Sequence, residues 1–192
     1  MFQPNFRGST GYGERWFQRN GFQSWRTAVG DVNDGGRWSV KQGLADTARL
    51  AILGWSYGGY AALQSVVLDP DLFRAIVAIA PVTDLNALRE ESRDFANFTL
   101  VDRFIGSGPH VREGSPAQNA ARIKAPVLLV HGDQDQNVGV GESRLMVNRL
   151  RGAGSKVEYL EFKGPDHQLD DDRARTEMLD LADGFLRAAL KP

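Results

Sequence analysis

The chain has 192 residues, 23 Lys and Arg against 24 Asp and Glu, a net charge of −1 and no cysteine. That length fits one domain with a sizeable core, expected over 1–192, and is short for two. Near-neutrality with scattered basic residues argues against a nucleic-acid or membrane surface. The lack of cysteine excludes a disulfide framework, a thiolate zinc site and a cysteine nucleophile, without choosing a redox compartment.

The opening Gln3-Pro4-Asn5-Phe6-Arg7-Gly8-Ser9-Thr10-Gly11-Tyr12-Gly13 reads as a strand end running into a glycine-rich turn. No basic and apolar leader precedes it, so a soluble, cytoplasmic protein is expected. A helix is expected over 29–42, where Val29, Val32, Gly36 and Val40 share a face and Gly43 supplies the stop. The glycines Gly35 and Gly36 weaken that helix, which points to close contact with a neighbour. A strand over 49–53 leads to the turn Gly54-Trp55-Ser56-Tyr57-Gly58-Gly59-Tyr60 and a helix over 61–68, ended by Asp69-Pro70-Asp71.

Further strands are expected over 74–80, 126–130 and 157–162. In the first two of these the apolar residues run continuously instead of alternating, as in parallel strands covered on both faces. Between the second and third, 85–121 reads as short helices over the sheet's C-terminal edge, with Phe95, Phe98 and Phe104 as ordinary packing residues. A helix over 142–150 stops at Gly152. In the closing helix Ala174, Met178, Leu181, Phe185 and Ala189 form one apolar face. The alternating order implies right-handed crossovers and a doubly wound, mostly parallel α/β sheet.

With thiols excluded, chemistry falls to Ser, His, Asp or Glu, and neither a metal nor a cofactor is expected. A serine in G-x-S-x-G at a strand-to-helix turn sits on a sharp backbone that tolerates little beyond glycine at Gly54, Gly58 and Gly59, and projects its hydroxyl above the strand ends. Ser56 is therefore the candidate nucleophile, and the Tyr57 N–H at the helix start the candidate oxyanion donor. Partner groups should come from loops after the other strands. His167, in a glycine-flanked loop after the last strand, is the candidate base. His131 closes a strand and reads as a structural hydrogen bonder, and His110 as a surface residue. For the acid, Asp135 ranks ahead of Asp133 because it lies farther from the buried strand, on the loop's outer turn. Asp170, Asp171 and Asp172 read as the cap and first-turn charge of the last helix. The order Ser, Asp, His is that of the α/β-hydrolase architecture.

Asn5 to Gly13, Gly54 to Tyr60, Ile123-Lys124-Ala125-Pro126-Val127-Leu128-Leu129-Val130-His131-Gly132 and Gly164-x-x-His167 together resemble the catalytic domain of the prolyl oligopeptidase family, especially its acylaminoacyl-peptidase and dipeptidyl-peptidase-like branches. The resemblance implies an α/β-hydrolase fold and an acyl-enzyme mechanism acting on short peptides, with small esters or amides as the competing substrates. In the family's HG-x-x-D-x-x-V motif the aspartate is the triad acid, which falls on Asp135. Asn137 matches a position contacting a substrate carbonyl, and Val82 and Val138 match apolar positions of the primary specificity pocket. Trp55 and Tyr60, inside the matched serine motif, complete the candidate substrate-binding set.

Two departures stand out. Gly139 replaces the proline usual after the motif's valine, and the family carries a β-propeller and earlier sheet strands before the point where this sequence begins. The resemblance thus implies an N-terminally truncated hydrolase sheet, a second oxyanion donor supplied from outside the chain, and an uncovered strand edge beside Leu50 to Leu53. A homo-oligomer is expected, through a two-fold contact or an exchange of 3–42; a weakly active piece that folds by self-association is the non-enzymatic alternative.

Overall fold

Four parallel strands in sequential order, β1 (Ala51–Trp55), β2 (Ala75–Ile79), β3 (Val127–Gly132) and β4 (Val157–Phe162), form the sheet of the computed structural model, which describes residues 1–17 and 21–191. The register pairs Trp55 with Ile79, Ile79 with Val130 and Gly132 with Phe162, so the strands end nearly level. The loops that follow them therefore open on one edge of the sheet.

The central strands are apolar throughout because helices cover both faces. Ile76, Ala78, Val127 and Leu129 pack against Ala62, Leu63 and Val66 of α2 (Tyr57–Leu68) and Met146 and Leu150 of α6 (Gly141–Gly152). Their alternates Ala75, Val77, Ile79, Leu128 and Val130 pack against Met178, Ala182 and Phe185 of α7 (Asp172–Ala189). Asp171 caps α7 by accepting from the Ala174 N–H at 2.8 Å.

The N-terminal half departs from the sequence expectations in three places. The first helix, α1, spans Trp25–Lys41 and so begins four residues early, because Phe22 and Trp25 are themselves buried. A Cβ on Gly36 would lie 3.2 Å from Phe73, so glycine there does serve a close approach. Residues 1–17 contain no strand: Gly8, Gly11 and Gly13 all take positive φ, and the segment is pinned as coil by Arg7, whose Nη2 lies 2.6 Å from Asp31 Oδ1 on α1. Finally, β1 starts at Ala51 because a 3-10 turn over Thr47–Arg49, capped by Asp46 Oδ1 on the Ala48 N–H at 2.8 Å, occupies the expected start.

Between β2 and β3 lie α3 (Leu85–Glu91), α4 (Phe98–Ile105), α5 (Pro109–Glu113) and a 3-10 segment, Pro116–Arg122. With Phe22, Trp25 and Tyr60 the three helices build a third apolar cluster over the C-terminal edge, while Ala117 and Ala120 of the 3-10 segment join the first. Phe104 packs edge-on against Phe22, with ring centroids 5.6 Å apart, whereas Phe95 is exposed. At the other end of the sheet, β1 pairs only with β2 among the described residues, and Leu53 is 52% exposed. Of the segment 3–42 considered for exchange, 18–20 lie outside the described residues, and α1 packs on α2 of the same chain.

Candidate active site

Ser56 alone forms the turn between β1 and α2. Its φ of 57° and ψ of −120° place a residue with a Cβ in the strained left-handed region, held there by its N–H donating to Ile79 O at 2.8 Å and its carbonyl accepting from Tyr60 N–H at 3.0 Å. A Cβ on Gly54 would lie 2.0 Å from Gly58 O, and one on Gly59 3.0 Å from Ile79 O. At Gly58, by contrast, a Cβ would meet nothing within 4 Å, so the expectation that this position needs glycine for space is corrected. Tyr57 is the first helical residue, and its N–H accordingly has no carbonyl of its own helix to bond. The Tyr57 ring lies among Phe6, Phe22 and Tyr60, and burial pushes its phenol up to about 12.

The loops after β3 and β4 are knit to each other. A Cβ on Gly132 would sit 2.3 Å from Pro165 O, so glycine is what lets the chain pass there. Asp133 N–H donates to Phe162 O at 2.9 Å, and Asp133 Oδ1 accepts from Gly164 N–H at 2.8 Å, the contact that does most to hold its carboxyl below the usual range. Asp133 is thus a clasp for the histidine loop. Asp135 turns inward: it is nearly buried, not on the outer turn, which corrects the reason for preferring it. Its Oδ2 lies 2.6 Å from His167 Nδ1, and its Oδ1 accepts from the N–H groups of Asn137 and Val138 at 2.8 and 2.9 Å. Burial works to raise this carboxyl, but the hydrogen bonds from His131, Val138, His167 and Asn137 outweigh it, and it is held below the usual carboxylate range.

Trp55 Nε1 donates to His167 O at 3.0 Å. Since Ser56 follows Trp55 directly, this bond sets the serine turn against the histidine loop. Trp55 therefore braces the His167 backbone. Tyr60 is fully buried and backs the site instead of facing it. Val82 and Val138 are both buried in the third cluster beside Tyr57, and the Asn137 side chain is exposed next to Asp135. His110 is not a free surface residue, as its half-buried ring places Nε2 2.8 Å from Ile105 O.

Two groups here carry no clear sequence signal. His131 reaches Asp135 as well as its own turn, with Nε2 3.1 Å from Asp135 Oδ2. Glu142, which the sequence marks only as a helix start, is fully buried and takes the N–H groups of Thr83 and Asp84 on one oxygen, each at 2.8 Å. Among the described residues no group of three or more His, Asp or Glu is arranged to hold a metal ion, and no helix is long and apolar enough to cross a membrane.

This geometry can be set beside known proteins. The prolyl oligopeptidase family (Peptidase_S9) matches residues 1–192. The chain is 32% identical to dipeptidyl aminopeptidase BIII of Pseudoxanthomonas mexicana, over 99% of this chain and 29% of that protein. Among solved structures, it superposes with a TM-score of 0.89 and 31% identity on a puromycin-hydrolyzing peptidase of Mycobacterium tuberculosis, covering 97% of this chain and 29% of that one. Against an acylaminoacyl peptidase of Pyrococcus horikoshii the values are 0.85 and 26%, over 97% and 32%. The chain therefore spans about a third or less of the length of these relatives, and the sheet described above is an α/β-hydrolase sheet.

Proposed function

Because the chain belongs to the prolyl oligopeptidase family of serine peptidases, we propose that it hydrolyses acyl compounds through an acyl-enzyme formed on Ser56, with His167 as base and Asp135 as its orienting carboxylate. The observation that carries this reading is the 2.6 Å Asp135–His167 contact, fastened by Trp55 to the serine turn. Asp135 accepts a hydrogen bond from Nδ1–H, which keeps the proton on that nitrogen and leaves Nε2 with the free lone pair. Nε2 takes the Ser56 proton as Oγ attacks the carbonyl, and the Tyr57 N–H donates to the oxyanion that forms. On collapse the same proton passes to the leaving amine or alcohol. Water, deprotonated by His167, then releases the acid and returns Ser56 to its hydroxyl form.

Peptide bonds of short peptides are the proposed substrates, in keeping with relatives named as peptidases. Val82 and Val138 would then offer apolar contact to the acyl side chain and Asn137 a donor to a substrate carbonyl. Small esters and amides form a second substrate class, since the same attack by Ser56 on an acyl carbonyl serves them. The β1 edge, which pairs only with β2 among the described residues, and the exposed Leu53 support self-association of this chain.

Hydrolysis of a nitrophenyl acyl ester, with and without Ser56→Ala, tests the reaction. Turnover abolished by the substitution supports it, and turnover that survives rejects it. Light scattering at micromolar concentration tests the assembly, which a compact monomer would contradict.

A further inference from the structure

Behind the Asp135–His167 pair lies a second imidazole that the proposed reaction leaves unused. His131 ends β3 and is fully buried. Its Nε2 lies 3.1 Å from Asp135 Oδ2 and 2.9 Å from Val138 O, and its Nδ1 lies 2.7 Å from Ser143 Oγ on α6. Both neighbours of Nε2 are oxygens that only accept, so Nε2 carries the proton and forks it between them. The tautomer is thus set at Nε2, and Nδ1 is left to accept from the Ser143 hydroxyl.

The oxygen reached by this fork is the same Oδ2 that meets His167 Nδ1, while Oδ1 is taken by two backbone N–H groups. Asp135 thus has four donors, and only one of them belongs to the reacting set. Each donor draws charge from the carboxylate and fixes its plane. We propose that His131 is a positioning residue for the reaction: through its forked Nε2–H it orients Asp135 Oδ2 toward His167 and limits the negative charge that oxygen presents to the catalytic ring.

Other charged groups near the ring are accounted for. Glu91, at the end of α3, interacts with both His131 and Asp135 through space and accepts from Gly139 N–H at 3.1 Å. Glu142 of α6 is engaged with Thr83 and Asp84. On β4, Glu161 is the register partner of His131, and it is paired with Arg144 at 2.8 Å and Lys163 at 2.6 Å. None of these supplies Asp135 with a donor, so His131 has no substitute there.

The inference rests on Asp135 and His167 acting as proposed above, and its test separates the two. In the 192-residue chain, His131→Phe removes the donor and His131→Gln keeps an amide donor. Nitrogen NMR of the ring should show His131 protonated at Nε2 in the unsubstituted chain. Carboxyl carbon NMR should show Asp135 titrating about one pH unit higher in His131→Phe, the size expected for losing one hydrogen bond to a charged group. Ester hydrolysis by His131→Phe should lose about tenfold or more in kcat at little cost in KM, with the acid limb of the profile moved to higher pH, and His131→Gln should recover most of this. An Nδ1–H tautomer, or an Asp135 titration and acid limb unmoved by His131→Phe, overturns the proposal. If His131→Phe does not fold, the ring nitrogen spectrum of the unsubstituted chain decides: a proton on Nε2 supports the proposal and a proton on Nδ1 overturns it. If the unsubstituted chain shows no Ser56-dependent turnover, the catalytic reading fails, and the tautomer and the Asp135 titration still decide whether His131 governs that carboxylate.

Discussion

A Glu142→Gln variant should gain in stability relative to the unsubstituted chain between mildly acidic and mildly alkaline pH. The side chain is fully buried at the start of α6, with Oε2 accepting from Thr83 N–H, Thr83 Oγ1–H and Asp84 N–H, while Oε1 is buried without a hydrogen-bond partner among the described residues. Burial pushes the carboxyl up to about 7 from 4.5, against the opposing pull of those three donors. A raised carboxyl binds its proton more tightly in the folded chain, so stability is present below the unfolded value and is lost as pH rises through the folded one. At 1.36 kcal/mol per pH unit the whole displacement is worth about 3 kcal/mol, a large part of a typical domain's roughly 5 to 15 kcal/mol. Glutamine keeps an acceptor for Thr83 and Asp84 and cannot ionise. Urea unfolding at pH 5 and pH 8 should therefore show the stability of Glu142→Gln relative to the unsubstituted chain rising by about 2.5 kcal/mol over that interval, since part of the displacement is already lost at pH 5. Glu91, also raised mainly by burial, is present in both proteins and largely cancels. A stability difference that is the same at both pH values would refute the argument.

Three further outcomes are expected. Removing Ser56, Asp135 or His167 should each leave only background ester hydrolysis with non-additive losses in double variants, and kcat/KM should fall on the acid side as the imidazole base is protonated; independent, additive losses would count against a single reacting unit. Gly54→Ala, whose Cβ would lie 2.0 Å from Gly58 O, should cost at least the roughly 1 to 3 kcal/mol of an overpacked core by urea unfolding, whereas Gly58→Ala, with nothing within 4 Å, should be neutral or stabilising by up to about 1 kcal/mol. Asn137→Ala should weaken kcat/KM for peptides and leave small esters nearly unchanged, and equal loss on both would remove the side chain from the substrate site.

The central strands were readable because Ala75 to Ile79 and Val127 to Val130 are continuous apolar runs, a pattern that helices on both faces make stable. The start of β1 was not, because the Asp46 cap that turns 47–49 away from the sheet is a side-chain contact with no periodicity. Gly54 read as a turn yet lies in the strand, since what its missing Cβ allows is the close passage of Gly58 O. At the site, the glycine-framed serine turn and the histidine loop are local patterns and could be read directly. The inward turn of Asp135, the His131 fork and the burial of Glu142 rest on contacts between elements far apart in the chain, Asp135 with His167, His131 with Ser143 of α6 and Glu142 with Thr83, and nothing in their spacing encodes those pairings.

The central claim is that Ser56 is an activated nucleophile. A fluorophosphonate reacts with a serine only when a base draws off its proton and donors hold the phosphoryl oxygen. Mass spectrometry of the labelled chain should find one adduct, on Ser56, which is lost in His167→Ala. No adduct, or an adduct on Ser56 that persists unchanged without His167, would contradict the account.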